Sequence, residues 1–222
     1  MRALNPVLIP AALAPVLLAT VAPPALAQEG GVGAAALLAK VRHCKQISRG
    51  KYRADDGTAA NIPVCGTRGA VFWKADLDID CDGRQSRRCS KRTDPYFQPT
   101  TAFQDSRGRH LDSASLPYVV VPGASRIWNH AKSGVWGGGI AAVIYRGKVQ
   151  YAVVGDTGPT DLAGEASYAT ARALGINPDP VRGGAPGGVT YIFFTKSQAR
   201  PLENHKATVR TGEALARRFV GG

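Results

Sequence analysis

Gly139-Ile-Ala-Ala-Val-Ile-Tyr145, then Arg146-Gly147, then Lys148-Val-Gln-Tyr-Ala-Val-Val154 is the stretch on which the fold turns. Two β-rich runs joined by a two-residue turn ending in glycine form a hairpin. The second run leads into Gly155-Asp-Thr-Gly-Pro159, which reads as a loop. Beyond it, Ala166 to Leu174 carries good helix formers and stops at Gly175, a residue suited to the position after a helix end. Upstream, Ala70-Val-Phe-Trp-Lys-Ala-Asp-Leu-Asp-Ile-Asp80 alternates as a strand, and Leu116 to Pro122 is a short apolar strand bounded by prolines. Downstream, Val189-Thr-Tyr-Ile-Phe-Phe194 follows a Gly-rich turn at 183–188, and a last helix is expected over Gly212 to Phe219. Val41 to Gly69 reads as cysteine-tethered loop, and 83–113 as a basic, irregular stretch. The expected fold is mainly β with a few helices (α+β): a small closed barrel, which leaves few strand edges open.

The 222 residues, 44% of them hydrophobic, are enough for one domain with a normal core and exclude a mainly disordered chain. Residues 1–27 read as a secretory signal: Arg2, an apolar run from Val7 to about Val21, and Ala25-Leu-Ala27 as the cleavage site. Pro10, Pro15, Pro23 and Pro24 would interrupt a membrane helix. Residues 28–43 follow as a loose lead-in and 44–222 as one domain, secreted, extracellular, without a membrane segment in the mature form, and monomeric. In an oxidising compartment, Cys44, Cys65, Cys81 and Cys89 favour two disulfides, with all three pairings open. Zinc is the competing reading, but no Cys-x-x-Cys pair is present.

The net charge is +12, so the few places where acids gather carry information. Asp76, Asp78, Asp80 and Asp82 form one window; Asp156, Asp161 and Glu165 form the other. At period two, Asp76, Asp78 and Asp80 project from one strand face while Leu77 and Ile79 face the other way. A polar surface strand is the plain alternative. Asp78-x-Asp80-x-Asp82-Gly83 matches the first half of a calcium loop, but its twelfth position is Cys89 and a strand precedes it, which excludes an EF-hand and leaves a different cation site open. Asp156 and Glu165, one at a strand end and one at the start of the expected helix, bring two carboxylates toward one place. Glycosidic cleavage needs such a pair. Asp in a Gly-rich turn and Glu at a helix start are also routine in inert proteins. The four histidines show no metal-hydrolase spacing, no Gly-x-Ser-x-Gly elbow is present, and no nucleic-acid motif accompanies the basic stretch 84–92. Among the aromatic residues, Trp73, Trp128, Trp136, Tyr145, Tyr151 and Tyr168 divide between sugar platforms and core.

Trp73-Lys-Ala-Asp-Leu-Asp-Ile-Asp-Cys-Asp-Gly83, Val154-Gly-Asp-Thr-Gly-Pro159, Gly164-Glu-Ala-Ser167 and Val189-Thr-Tyr-Ile192 together resemble glycoside hydrolase family 75, the secreted endo-chitosanases of fungi and some bacteria. The resemblance runs from about Cys44 to His205. It implies that Asp156 and Glu165 are a catalytic pair that hydrolyses β-1,4 glucosamine linkages with inversion. It makes 44–222 a catalytic domain whose partner is chitosan or a related polysaccharide, with no nucleic acid, metal or cofactor. The expected roles are Glu165 as acid and Asp156 as base, or the reverse. Asp76, Asp78 and Asp80, with Asp161 as a further candidate, are then expected to bind substrate ammonium groups. Val153-Val-Gly-Asp-Thr-Gly-Pro159 followed by a helix ending Ala-Leu-Gly is also similar to the double-psi barrel domains of rare lipoprotein A and expansin-like proteins. That likeness supports a double-psi-like barrel and a rival reading, a domain that binds wall polysaccharide or cleaves peptidoglycan.

Overall fold

The structure is a computed structural model that describes residues 31–222. The signal reading of 1–27 and the first residues of the lead-in lie outside them. Eight strands and three α-helices follow in the order α1 (Ala34–Lys40), β1 (Lys45–Tyr52), β2 (Ile62–Thr67), β3 (Ala70–Asp80), β4 (Tyr118–Pro122), β5 (Ile140–Tyr145), β6 (Lys148–Gly158), β7 (Glu165–Ser167), α2 (Tyr168–Leu174), β8 (Ala185–Phe194) and α3 (His205–Gly221).

Six of the strands close a barrel in the order β3-β7-β4-β6-β5-β8, with β8 returning to β3. The β1–β2 hairpin extends from the first half of β3, and β7 takes the same edge of β3 over its last three residues. The β5–β6 hairpin turns through Arg146 and Gly147, both at positive φ, as a two-residue hairpin turn requires. Two pairings are parallel, β3–β7 and β4–β6; the others are antiparallel.

Alternation sends successive residues of each strand to two cores. One holds Trp73, Leu77, Val119, Val121, Val154, Tyr191 and Phe193, with Trp73 stacked 4.3 Å from Phe193 and edge-on to Trp128 at 5.9 Å. The other holds Phe72, Tyr118, Val120, Tyr151, Val153 and Ile192 with Leu37 of α1 and Ala216 of α3. Trp73, Trp128 and Tyr151 are therefore core and not sugar platforms.

Several boundaries differ from the sequence reading. The Val41–Gly69 loop is instead the β1–β2 hairpin, joined by the disulfide Cys44–Cys65. Its polar first strand hid it, because β1 has only two buried residues. The loose lead-in contains α1, pinned by buried Ala34 and Leu37. Helix α3 starts seven residues before the expected Gly212, where the Asn204 side chain accepts the N–H of Ala207 as an N-cap. Glu165 is not at a helix start: it opens β7, and α2 begins at Tyr168 after Ser167 caps it. Gly155–Gly158 is the end of β6 and not a loop. The second disulfide, Cys81–Cys89, ties the end of β3 to the irregular segment that follows.

Candidate active site

Strands β3, β7, β4 and β6 lie side by side, and one face of this row carries the acids. In the parallel β3–β7 pair, Asp78 stands opposite Glu165 and Asp80 opposite Ser167, while Ile79 and Ala166 share the core face. Along β6, alternation would send Asp156 to the core with Val154. It does not, because Val154 pairs with Val119 of β4 while Asp156 pairs with Val120, leaving Gly155 as an extra residue. This bulge shifts the register by one and turns Asp156 onto the face of Val120 and Glu165.

These residues line a cleft of about 340 Å³ whose walls are Ile79, Asp80, Asp82, Asp94, Tyr96, Val120, Asp156–Pro159 and Glu165, with Cys81 at its edge. Among the described residues, no lysine or arginine lines it. Glu165 reaches across β4: its Oε2 lies over Gly158, where a β-carbon would meet it at 2.5 Å. Gly158 is two residues along β6 from Asp156, and two strand residues span about 7 Å. The Asp156 Oδ1 accepts the N–H groups of Ala102 and Thr157, each at 2.7 Å. The Asp80 Oδ1 accepts the N–H of Asp82 at 2.7 Å, and the Asp82 Oδ1 accepts that of Gln98 at 2.6 Å.

Burial and mutual repulsion raise Glu165, Asp80 and Asp82, and burial raises Asp156. Burial, with the charges of Asp78, Asp156, Asp82 and Asp76, pushes the Glu165 carboxyl up to about 7. Asp82 is pushed up to about 6 by burial, against the Gln98 hydrogen bond and with the charges of Asp156 and Asp94 added. Burial, then the Asp156 charge, holds Asp80 well above the usual range. Asp156 is also raised by burial, but its two N–H donors and the nearby His110 oppose the rise. The arrangement thus contains one carboxyl that keeps its proton near neutrality beside another whose anion is held by backbone donors. That is the division of labour a general acid and a general base require.

Of the residues singled out in the sequence, Asp156, Glu165 and Asp80 line this one cleft. Asp76 and Asp78 share their strand face but gather with Asp55 in a second group, their carboxylate oxygens within 4.8 Å of one another. Asp161 lies outside the cleft, 3.9 Å from Arg53. Sequence reading did not select Asp82, Asp94 or Tyr96, the last of which is 84% exposed. Asp82 lay in the acidic window, but Asp94-Pro-Tyr96 sits in an irregular segment where no periodicity signals a site.

The model for "Fungal chitosanase of glycosyl hydrolase group 75" matches residues 77–218. The chain is 31% identical to endo-chitosanase B of Aspergillus oryzae over 174 residues, covering 71% of this chain and 72% of that one. It is 29% identical to an endo-chitosanase of Aspergillus fumigatus over 171 residues, with 71% and 72% covered. Over 140 residues it is 34% identical to another endo-chitosanase of Aspergillus oryzae, covering 57% of this chain and 56% of that one.

Proposed function

The chain belongs to glycosyl hydrolase group 75 and is a glycoside hydrolase; from that premise we propose that it cuts chitosan internally, with inversion, using Glu165 as general acid and Asp156 as general base. Glu165, protonated near neutral pH, gives its proton to the glycosidic oxygen. Asp156 takes a proton from a water that attacks the anomeric carbon from the opposite face, turning a β linkage into an α product. Two carboxylates suffice for this chemistry, so it calls for no cofactor.

The observation that carries the reading is that Glu165, raised by burial, and Asp156, held by two backbone N–H donors, line one cleft, with Glu165 Oε2 over Gly158 two residues along β6 from Asp156. Inversion, which the family resemblance implies, requires room for a water between the pair, about 6.5–9.5 Å. A cleft lined by Asp80, Asp82 and Asp94 and by no cation, in a chain of net charge +12, favours a substrate that carries amines over a neutral sugar. The exposed Tyr96 ring offers a sugar face to stack on. Two disulfides and the signal-like 1–27 support export, with 44–222 acting as one catalytic domain and as a monomer.

The test is reducing-end release and anomeric configuration by NMR on largely deacetylated chitosan oligomers. Wild type is expected to give the α anomer first, and Glu165→Gln and Asp156→Asn are each expected to lose about 10²–10⁴ in kcat. An initial β product would overturn inversion. No cleavage by folded, disulfide-bonded wild type would overturn the chitosanase reading in favour of a wall-binding domain, with peptidoglycan the next substrate to try.

A further inference from the structure

Asp55, Asp76 and Asp78 form a group distinct in kind from the acids of the cleft. The cleft carboxylates of Asp80, Asp82 and Asp156 each accept at least one backbone N–H. Among the described residues no ion pair reaches the other three, no backbone N–H of another residue supports them, and the buried Asp76 Oδ1 has no hydrogen-bond partner. Asp76 is only 7% exposed, so water does not replace the missing donor freely. Asp76, buried beside the like charges of exposed Asp55 and Asp78 and without a counter-charge, is costly as an anion in a chain that has 28 lysines and arginines available to neutralise it.

We propose that Asp55, Asp76 and Asp78 bind a hard divalent cation of the calcium class, which fastens the 53–61 loop to β3. Oxygens within 4.8 Å of one another match ligands arranged around an ion with bonds of about 2.3–2.6 Å. Carboxylate oxygens are the donors such an ion prefers, and the absence of nitrogen or sulfur ligands disfavours zinc and copper. The loop supplies one ligand and the strand two. The backbone already stitches this loop to the chain before β7: Arg53 N–H donates to the Asp161 carbonyl at 2.9 Å, and Ala163 N–H to the Arg53 carbonyl at 3.0 Å. A cation there secures the free end of that loop, a structural role separate from bond cleavage.

The experiment is thermal unfolding and calorimetric titration of the chelator-treated, disulfide-bonded protein without substrate, with CaCl2 to about 10 mM against NaCl of equal ionic strength. Calcium at a hundredfold excess over Kd is expected to raise Tm by about 5–10 °C. Asp78→Asn and the loop variant Asp55→Asn, both at exposed positions, are each expected to weaken binding at least tenfold, and Asp82→Asn in the cleft is expected to retain it. Two variants on different elements keep the test decisive if one folds poorly. No calcium shift, or an equal shift in both variants, overturns the proposal; so does a shift lost only in Asp82→Asn. A shift produced by glucosamine oligomers and not by calcium, and lost in Asp78→Asn, also overturns it, by assigning the group to a sugar ammonium. No arm reads hydrolysis, so a failure here leaves the proposed reaction standing and the reverse also holds.

Discussion

At the residue scale, Glu165 is the group whose environment makes a sharp demand. Its carboxyl is raised to about 7 by burial first and by neighbouring carboxylates second. As the proposed acid it must carry its proton, so kcat/KM is expected to fall as pH rises through about 7. Asp82 is one of the charges holding the proton on, so Asp82→Asn is expected to move this basic limb to lower pH. The measurement is the pH profile of kcat/KM on a soluble oligomer for both proteins. A basic limb that stays in place in the variant would remove the repulsion from the account. Asp156 is legible in the sequence as a residue, but its direction is not. It depends on the Gly155 bulge, and a strand glycine signals a bulge without saying which way the next side chain turns.

At the scale of elements, the two disulfides divide stability from activity. Cys44–Cys65 closes 21 residues and ties β1 to β2, away from the cleft, whereas Cys81–Cys89 closes only 8 and has Cys81 at the cleft edge. Loop-closure entropy gives about 3.3 kcal/mol for the longer loop and about 2.5 kcal/mol for the shorter. Replacing Cys44 and Cys65 by serine is therefore expected to lower Tm more. Replacing Cys81 and Cys89 is expected to lower kcat more, because it frees the segment that carries Asp82, Asp94 and Tyr96. Paired unfolding and rate measurements check this, and equal loss of kcat in both double variants would detach the 81–89 bridge from the site. The hairpin at 140–154 was readable from two apolar β-rich runs joined by a two-residue turn, and the strand at Ala70–Asp80 from its length and its alternating acidic end. The hairpin of β1 and β2 was not, since β1 is a polar strand at the edge of the sheet and β2 is short and interrupted by Pro63 and Gly66.

At the scale of the whole molecule, a chain of net charge +12 must attract a polycation locally while repelling it at a distance. Screening over about 8–10 Å at ordinary ionic strength lets the cleft dominate once substrate is near. Salt is expected to raise KM for deacetylated oligomers in wild type. In an Asp80→Asn, Asp82→Asn double variant, KM at low salt is expected to be about tenfold higher and its salt dependence shallower. Equal salt slopes would show that these acids are not what holds the amines. The sequence by itself determined a β-rich chain with two acidic windows, four cysteines to be paired and a motif set that places it in one glycosidase family. Strand alternation and local motifs are properties of neighbours in the chain, so they can be read along it. Only the tertiary structure decided which acids meet. Glu165 and Asp80 face the same cleft because β7 pairs in parallel with β3, Asp156 joins them because one extra residue shifts β6 against β4, and Asp76 and Asp78 part from them to meet Asp55. Strand order and register come from packing across the barrel, between residues far apart in the chain, and no local pattern encodes them.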